Sequence, residues 1–346
     1  MIPSKNLSPP PQRLLEIEVQ KWTEFLQHSR GRSARTVRAY TDAIDKLAQF
    51  LGGQDFRTVT VDELTTFTGI WLHKQGLVGI SRRPIIAAVR GFYAWLTKQR
   101  VIAVNPALEV NYPKTGLKLP RLMALSNAER LLWAPDFHTF IGVRDAAMLA
   151  LMMGCGLRVH DVVSLNTSQL LTIDYNGEQR MAVRPRSKGN RERTVPVPRE
   201  AELTVRLYLE HEGLEAVDRR LENGDDVLFI SVGNKNVMPH EYRGENRRLN
   251  VRSVQRMVER YGRQVGIPEE ELHPHALRHL FGAELAEDDV DLLMRQSLMG
   301  HADAKTTRIY SHLAMRKHVA ELDRAGPMAK MRTPAGELLA RLRRTR

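Results

Sequence analysis

The chain has 346 residues, which is enough for roughly two domains, and its 42% hydrophobic content excludes global disorder. With 52 Lys and Arg against 40 Asp and Glu the formal net charge is +12, and a chain this basic usually binds a polyanion, nucleic acid first. Because it has no apolar run of about 18 residues, no signal-peptide pattern and a single cysteine, Cys155, we expect a cytoplasmic protein without a membrane span, a disulfide framework or a multi-cysteine zinc site.

The basic excess lies at the two ends of the chain. Residues 1–117 contain 16 Lys and Arg and 9 Asp and Glu, and residues 327–346 contain 6 and 1. The residues between them, 118–326, contain 30 of each sign and balance to zero. A neutral middle flanked by basic parts is typical of a working domain with basic segments that hold a polyanion.

The first part of the chain predicts a small all-α domain. Residues 1–11 are polar and Pro-rich, which indicates a flexible arm, and apolar residues then recur at helical spacing over residues 12–109. Ser33 is placed to cap a helix that Gly52-Gly53 end. The expected helices cover about 12–29, 34–51, 62–74 and 80–98. The Pro- and Lys-containing stretch 110–120 predicts an interdomain linker.

Residues 121–325 predict an α+β domain that is mostly helical, with a small antiparallel sheet. Ser126 to Glu129 form a capping-box pattern, which predicts the start of a helix. Strands are expected at about 170–174, 180–185 and 193–196, with turns at Asn176-Gly177 and 187–190 between them. Further helices are expected over 144–153, from about 200, 251 and 274, and over 292–322.

The basic tail, 326–346, has Leu338, Leu339 and Leu342 on one predicted helix face and arginines on the other. This pattern suits a helix that docks in trans on a neighbouring protomer or on DNA. It suits a frayed basic tail equally well.

Two segments of the second domain carry candidate anion-binding side chains. In Gly154-Cys-Gly-Leu-Arg-Val-His-Asp161, Gly156 ends one helix and Arg158 stands where the next begins, which favours an anion site or, more simply, an ordinary capped helix boundary. In Ser187-Lys-Gly-Asn-Arg-Glu-Arg193 a hairpin tip projects Lys188 from the sheet, and the simpler explanation is a solubilising surface turn.

Two later segments contribute histidines and a tyrosine. In His273-Pro-His-Ala-Leu-Arg-His279, His275 and Arg278 share a helix face. His275 and His279 have a spacing that can bind a metal, but no Glu of an H-E-x-x-H motif and no thiolate accompany them, so we expect no metal and treat His279 as a core histidine bonded to the backbone. Met299-Gly-His301 is followed nine residues later by Tyr310, which alone would be a core residue of an amphipathic helix.

Together, the order R…K…H-x-x-R…H…Y resembles the catalytic signature of the tyrosine recombinases, the lambda-integrase-like family. Gly156-Leu-Arg158 with Asp161 matches the first family motif, His275 to His279 matches the second, and Gly300-His301 with Tyr310 matches the third. The resemblance covers roughly residues 12–325, and the N-terminal helices resemble the family's core-binding domain by pattern. Because the first helix begins near residue 12, we expect no arm-binding domain and a Xer- or Cre-like member.

The resemblance implies DNA strand exchange through a covalent 3′-phosphotyrosine. It makes Tyr310 the nucleophile, His275 the general base and Lys188 the general acid. Arg158, Arg278 and His301 would bind the scissile phosphate, and Asp161 and His279 would support the site. No cofactor, metal or ATP is implied, and no Walker-type loop is present in the sequence.

The implied partners are double-stranded DNA with a specific recombination site and three further protomers, either copies of this chain or a related recombinase, in a synaptic tetramer. No membrane partner is expected. Candidate contacts to DNA phosphates are Arg35, Arg38, Arg82, Arg83, Arg90 and Lys118. A type IB-like topoisomerase and a non-catalytic DNA-binding regulator are the competing hypotheses. The recombination site and the biological task (resolution, integration, transposition or inversion) stay open.

Overall fold

The computed structural model describes residues 10–114, 122–187, 191–299 and 311–344. The chain divides into two compact units, Met1–Leu119 and Pro120–Arg346. Within the described ranges, every helix is too short or too polar to cross a membrane.

The regular elements of the first unit are all helices in its described residues, as the apolar spacing predicts. Ser33 caps the second helix by accepting a hydrogen bond from the backbone N–H of Thr36, and Gly52 ends it with φ +58°. The third helix passes through a π-helical turn, Phe67–Trp71. The helices are α1 (Pro11–Glu24, extended by a π turn, Phe25–Ser29), α2 (Ala34–Leu51), α3 (Val61–Thr66), α4 (Leu72–Lys74) and α5 (Gly79–Lys98).

Aromatic side chains hold these helices together. Trp22 of α1 is 1% exposed, stacks on Tyr40 of α2 and meets the ring of Phe92 of α5 edge-on. The buried Tyr93 hydroxyl donates to the carbonyl of Phe56 at 3.1 Å, so its polar end is satisfied inside the core. The first unit therefore has a core of its own.

The second unit is mostly helical with a small antiparallel sheet, so the predicted fold class is confirmed. The sheet has three strands, with the second in sequence at its centre, and two short strands that precede the third in sequence form a separate two-stranded hairpin. The elements before the sheet are α6 (Leu125–Trp133), α7 (Phe140–Gly154) and α8 (Val159–Val163). The strands are β1 (Leu170–Tyr175), β2 (Glu178–Val183), β3 (Arg186–Ser187), β4 (Arg191–Glu192) and β5 (Val195–Pro196). The helices after them are α9 (Arg199–Leu209), α10 (Glu212–Glu215), α11 (Val251–Gln264), α12 (Pro274–Glu287), α13 (Leu292–Met299), α14 (Ser311–Ala325), α15 (Pro327–Lys330) and α16 (Pro334–Arg344).

The sheet forms where turn residues permit it. Asn176 and Gly177 have φ of 55° and 83°, the left-handed pair that joins two antiparallel strands in a tight hairpin. This turn pairs Tyr175 with Glu178 and continues the register to Leu170 and Val183. The β3–β4 hairpin pairs Ser187 with Arg191 and thereby flanks residues 188–190.

Helix α7 is the centre of the second unit, and every residue from Gly142 to Gly154 is buried. It packs on α9, α12 and α15. Its two buried charges satisfy each other: Arg144 donates to Asp145 and to the carbonyl of Ile230, and Asp145 also accepts from the Tyr261 hydroxyl. A fixed α7 gives the segment that follows Gly154 a rigid base.

The predicted capping box at Ser126 is wrong. Helix α6 begins at Leu125, its N-cap Ala124 makes no side-chain hydrogen bond, and Ser126 lies inside the first turn. The Asn127 side chain donates instead to Glu271 at 2.8 Å. A tertiary contact, rather than a local cap, therefore fixes this end of the helix.

The described part of the tail is helical and packs on its own chain. Met328 is 1% exposed against the unit's core, and Thr333 donates to Glu200 of α9 at 2.7 Å. The Trp133 indole donates to the carbonyl of Arg332. Residues Pro334–Arg344 form a helix.

We predict that Gly156→Ala destabilises the protein far more than Gly177→Ala. Both glycines have positive φ, which costs a residue with a Cβ about 1–2 kcal/mol. A Cβ at Gly156 would also overlap the buried ring of Phe281, whereas nothing lies within 4 Å of one at Gly177. Urea unfolding is expected to show a loss of about 3 kcal/mol or more for the first variant and about 1 kcal/mol for the second. Equal losses would contradict the close packing at Gly156.

Candidate active site

The α7–α8 junction positions Arg158. Helix α7 ends at Gly154, Gly156 turns the chain with φ +58°, and Arg158 is the extended N-cap residue of α8. Asp161 holds this start because its carboxylate accepts the backbone N–H of Arg158 at 3.3 Å. Helix α8 has only five residues and hence a small dipole. The group available to an anion at this junction is therefore the Arg158 side chain rather than the helix dipole, and this side chain is 34% exposed.

Helix α12 positions His275 and Arg278. His273 caps it by accepting the backbone N–H of Ala276, and Pro274 occupies the first helical position, where a missing N–H costs nothing. Arg278 is 4% exposed and donates to the backbone carbonyls of Gly156 and Met299. This one guanidinium therefore joins α12 to the segment before Arg158 and to the end of α13.

Burial and the positive charges of Arg158 and Arg193 lower the pKa of Arg278 to about 9. It is still protonated at neutral pH. The shift indicates that Arg158, Arg193 and Arg278, which are far apart in sequence, lie within electrostatic reach of one another.

His275 is exposed and belongs to the same cluster. Partial desolvation lowers its pKa below the ordinary 6.5, and the neighbouring charges of His279, His273, Arg278 and Arg158 lower it further. His275 is therefore neutral at neutral pH, the form that accepts a proton.

His279 is exposed, and its ring lies 6.4 Å from the ring of His275, so the prediction of a core histidine is wrong. The reason lies in the helix face. Leu277, Phe281 and Leu285 fill the buried side of α12, and the i, i+4 spacing keeps His279 beside His275 on the open side.

Arg193 is a site residue that sequence reasoning missed. It lies between β4 and β5, its side chain is 11% exposed, and its Nη2 is 3.3 Å from Oδ2 of Asp161. The buried Asp161 needs a cationic partner, but several basic residues surround the hairpin in sequence and no local pattern selects one of them.

The described site has an excess of positive charge. Three guanidiniums, those of Arg158, Arg193 and Arg278, surround the single carboxylate of Asp161 in the part of the cluster that the structure describes. A phosphate diester would balance this charge and accept their N–H groups. Among the described residues, no group of three or more metal-binding side chains comes together.

Three predicted catalytic residues, Lys188, His301 and Tyr310, lie outside the described residues, as does Lys118. Their neighbours are described. Met299, whose carbonyl Arg278 holds, stands two residues before His301, and α14 begins at Ser311.

Cys155 is fully buried, burial raises its pKa, and its thiol lies 3.7 Å from the carbonyl of Pro196. A buried thiol held in its protonated form is a packing residue and not a nucleophile.

The candidate DNA contacts of the first unit fall into two groups. Arg35 and Arg38 are exposed on α2. Arg82 instead donates to the carbonyls of Thr68 and Gly69 in the π turn, and Arg90 donates to the carbonyl of Val110. Arg83 is exposed but lies over the ring of Tyr112, 5.1 Å from its centroid.

Comparisons with known proteins cover both units. Residues 121–317 match the phage integrase family and residues 19–100 match the phage integrase N-terminal SAM-like domain. The tyrosine recombinase XerC of Alcanivorax borkumensis is 32% identical over 320 residues, 91% of this chain and 96% of that protein. The tyrosine recombinase XerD of Pseudomonas putida is 34% identical over 244 residues, 70% of this chain and 74% of that one.

Solved structures share the fold. XerH recombinase bound to a palindromic difH substrate matches with a TM-score of 0.67 at 17% identity, over 93% of this chain and 98% of that one. A lambda integrase dimer bound to a core site matches with a TM-score of 0.60 at 16% identity, over 84% of this chain and 95% of that one. The resemblance seen in the sequence motifs is confirmed: the chain belongs to the phage integrase family and is a tyrosine site-specific recombinase.

Proposed function

We propose that this recombinase cuts and rejoins DNA at a specific site through a 3′-phosphotyrosyl intermediate formed on Tyr310. One observation carries the proposal. Arg158, His275 and Arg278, separated by up to 120 positions in sequence, form one positively charged cluster whose only described carboxylate is Asp161. Such a cluster suits a phosphate diester, and the family motif supplies the tyrosine that would attack it.

Proton removal from the nucleophile falls to His275. A tyrosine hydroxyl has an ordinary pKa near 10 and is a weak nucleophile until a base takes its proton. His275, whose pKa is lowered by partial desolvation and by its cationic neighbours, is ready to accept that proton during attack on phosphorus.

The arginines stabilise the charge that develops on the non-bridging oxygens. Arg158 offers a partly exposed planar guanidinium, and Arg278 adds a buried positive charge behind it. His301 would be a further donor to the same phosphate. The hydrogen bonds of Arg278 to two backbone carbonyls hold its charge in place, so little reorganisation of this group accompanies the reaction.

The leaving 5′-oxygen needs a proton, and we assign Lys188, between β3 and β4 in sequence, as its donor. Nearby guanidiniums would lower the pKa of this amine and make it a better acid. The P–O bond to the 5′-oxygen breaks as the bond to Tyr310 forms. One phosphodiester replaces another, and a partner strand's 5′-hydroxyl reverses the step without ATP.

Recombination joins two duplexes, so the reaction needs four protomers. A lambda integrase tetramer bound to a Holliday junction shares this fold with a TM-score of 0.60 at 16% identity, which supports a tetramer of this chain, or of this chain and a related recombinase, on double-stranded DNA. In bacteria, the source of the named relatives, chromosomal and plasmid DNA lie in the cytoplasm, and we place the reaction there. The named relatives are recombinases, which favours recombination over the topoisomerase and regulator hypotheses.

We assign residues 12–109 to a core DNA-binding domain, 110–120 to a linker and 121–325 to the catalytic domain. The arm 1–11 and the tail 326–346 flank them. The basic charge of the first unit supports its assignment, because phosphate contacts supply most non-specific affinity for DNA.

Tyr310→Phe is predicted to abolish covalent attachment to DNA while leaving DNA affinity intact. Phe keeps the ring but has no oxygen to bond to phosphorus. A nicked suicide substrate that carries the recombination site should trap wild-type protein as an adduct on a denaturing gel. An equal amount of adduct with the Phe variant would overturn the assignment of Tyr310.

The rate of DNA cleavage is predicted to rise with pH, and the midpoint of this rise is expected below pH 6.5. A lowered His275 pKa means that the base is already deprotonated at neutral pH and becomes protonated only in more acidic buffer. Single-turnover cleavage from pH 5 to 8 should show this rise in wild type and in His240→Asn, an exposed histidine elsewhere, and not in His275→Ala. A wild-type midpoint above 6.5, or a rise that survives in His275→Ala, would refute His275 as the base.

Arg35→Gln and Arg38→Gln are each predicted to reduce the salt dependence of DNA binding. An exposed arginine that contacts one phosphate contributes about 0.9 to the slope of log affinity against log salt. Arg90→Gln is the matched control because its guanidinium is bound to the carbonyl of Val110, so this variant should lose stability and keep the slope. Slopes that fall for Arg90→Gln and not for the α2 variants would show that DNA contacts a different face.

A further inference from the structure

The connection between β4 and β5 carries an arginine that no step of the proposed reaction uses. Arg193 is one of two residues between these strands, and its side chain is 11% exposed. Its Nη2 lies 3.3 Å from Oδ2 of Asp161, whose side chain is 5% exposed. A buried carboxylate is stable only when it is paired, so this contact accounts for much of the stability of the charged Asp161.

The same carboxylate oxygen also faces Arg158. Oδ2 of Asp161 accepts the backbone N–H of Arg158 at 3.3 Å but lies 4.0 Å from Nη1 of its guanidinium. Asp161 is therefore closer to the guanidinium of Arg193 than to that of Arg158. The Arg158 side chain keeps an exposed fraction of 34%, and among the described residues the ion pair of its guanidinium is this 4.0 Å contact.

The guanidiniums of Arg193 and Arg158 thus face the same Asp161 carboxylate, and the one that pairs with it more closely leaves the other available to a ligand. If Arg193 did not pair with Asp161, the unbalanced carboxylate would draw the Arg158 guanidinium into a close ion pair. A close, bidentate pair would use the N–H groups that a phosphate needs. The ion pair with Arg193 prevents this, because it already balances the negative charge of Asp161.

We propose that Arg193 is a positioning residue for strand cleavage: by pairing with Asp161 it keeps the Arg158 guanidinium available to the scissile phosphate. This inference rests on the proposed role of Arg158 at that phosphate. The lowered pKa of Arg193, caused by burial and by the charge of Arg158 among others, agrees with two guanidiniums held close to each other. The alternative is a purely structural role, in which Arg193 only anchors the β4–β5 connection.

The first test is single-turnover cleavage at saturating DNA. Arg193→Gln should cleave about 10- to 100-fold more slowly, the loss expected from a small displacement of a catalytic group, with DNA affinity within about threefold. Arg193→Lys should recover most of the rate, because an ammonium can also pair with Asp161. Arg184→Gln is the matched control, since Arg184 is exposed, lies two residues before β3 and contacts Thr194 instead of Asp161.

A double variant separates positioning from structure. Asp161→Asn keeps an oxygen for the Arg158 N–H but removes the negative charge that would draw the guanidinium away. Arg193→Gln combined with Asp161→Asn should therefore cleave faster than Arg193→Gln alone, and it leaves no unpaired buried carboxylate to prevent folding. A double variant as slow as Arg193→Gln, or slower, would overturn the proposal.

A charge-neutral phosphate completes the test. In a methylphosphonate substrate one non-bridging oxygen is a methyl group, so the scissile group carries no charge for Arg158 to balance. On this substrate the rate penalties of Arg158→Ala and Arg193→Gln should both shrink to within about threefold of wild type. If Arg158→Ala keeps its full penalty, the proposed phosphate role fails and this inference with it. If Arg158→Ala recovers and Arg193→Gln does not, the inference alone is wrong.

Discussion

The buried guanidinium of Arg278 is the contact on which the described site depends. It donates to the carbonyls of Gly156 and Met299, and so ties α12 to the segment that carries Arg158 and to the residue next to Gly300-His301. A buried charge is stable only when its N–H groups have partners, and backbone carbonyls are partners that cannot change rotamer. The positive φ of Gly156 and the Phe281 ring beneath it set the position of the first of these carbonyls. The first two family motifs and the end of α13 are thus parts of one hydrogen-bonded unit.

That unit brings several positive side chains together with fewer negative ones. Burial and the charge of Arg158 lower the pKa of Arg193, burial and the charges of Arg158 and Arg193 lower that of Arg278, and Asp161 is the only carboxylate described in this cluster. Such repulsion costs free energy in the free protein, and a bound phosphate diester would offset it. Partial desolvation, and to a smaller extent the same positive charges, lower the pKa of His275. The second unit can therefore be neutral overall in residues 118–326 and still present a strongly positive site.

Structural features that depend on residues close together in sequence were predicted correctly. Helix spacing, the Ser33 cap and the Asn176-Gly177 turn all rest on contacts within a few residues, and the structure agrees with them. The missed features depend on distant partners. Asn127 bonds to Glu271, Arg82 and Arg90 bond to carbonyls of other segments, and Arg193 reaches Asp161 across 32 positions. No local sequence pattern distinguishes an arginine bound to a carbonyl from one that faces solvent. The partners of these residues could therefore be identified only from the folded structure.

The most direct test of the account is to identify the atom that becomes linked to DNA. Protein trapped on a suicide substrate can be digested with trypsin, and the DNA-linked peptide can be sequenced by mass spectrometry. The account predicts the peptide that lies between Arg308 and Lys317 in sequence, IYSHLAMR, joined through the Tyr310 oxygen to a 3′-phosphate. A linkage to any other residue, or to a 5′-phosphate, would contradict it.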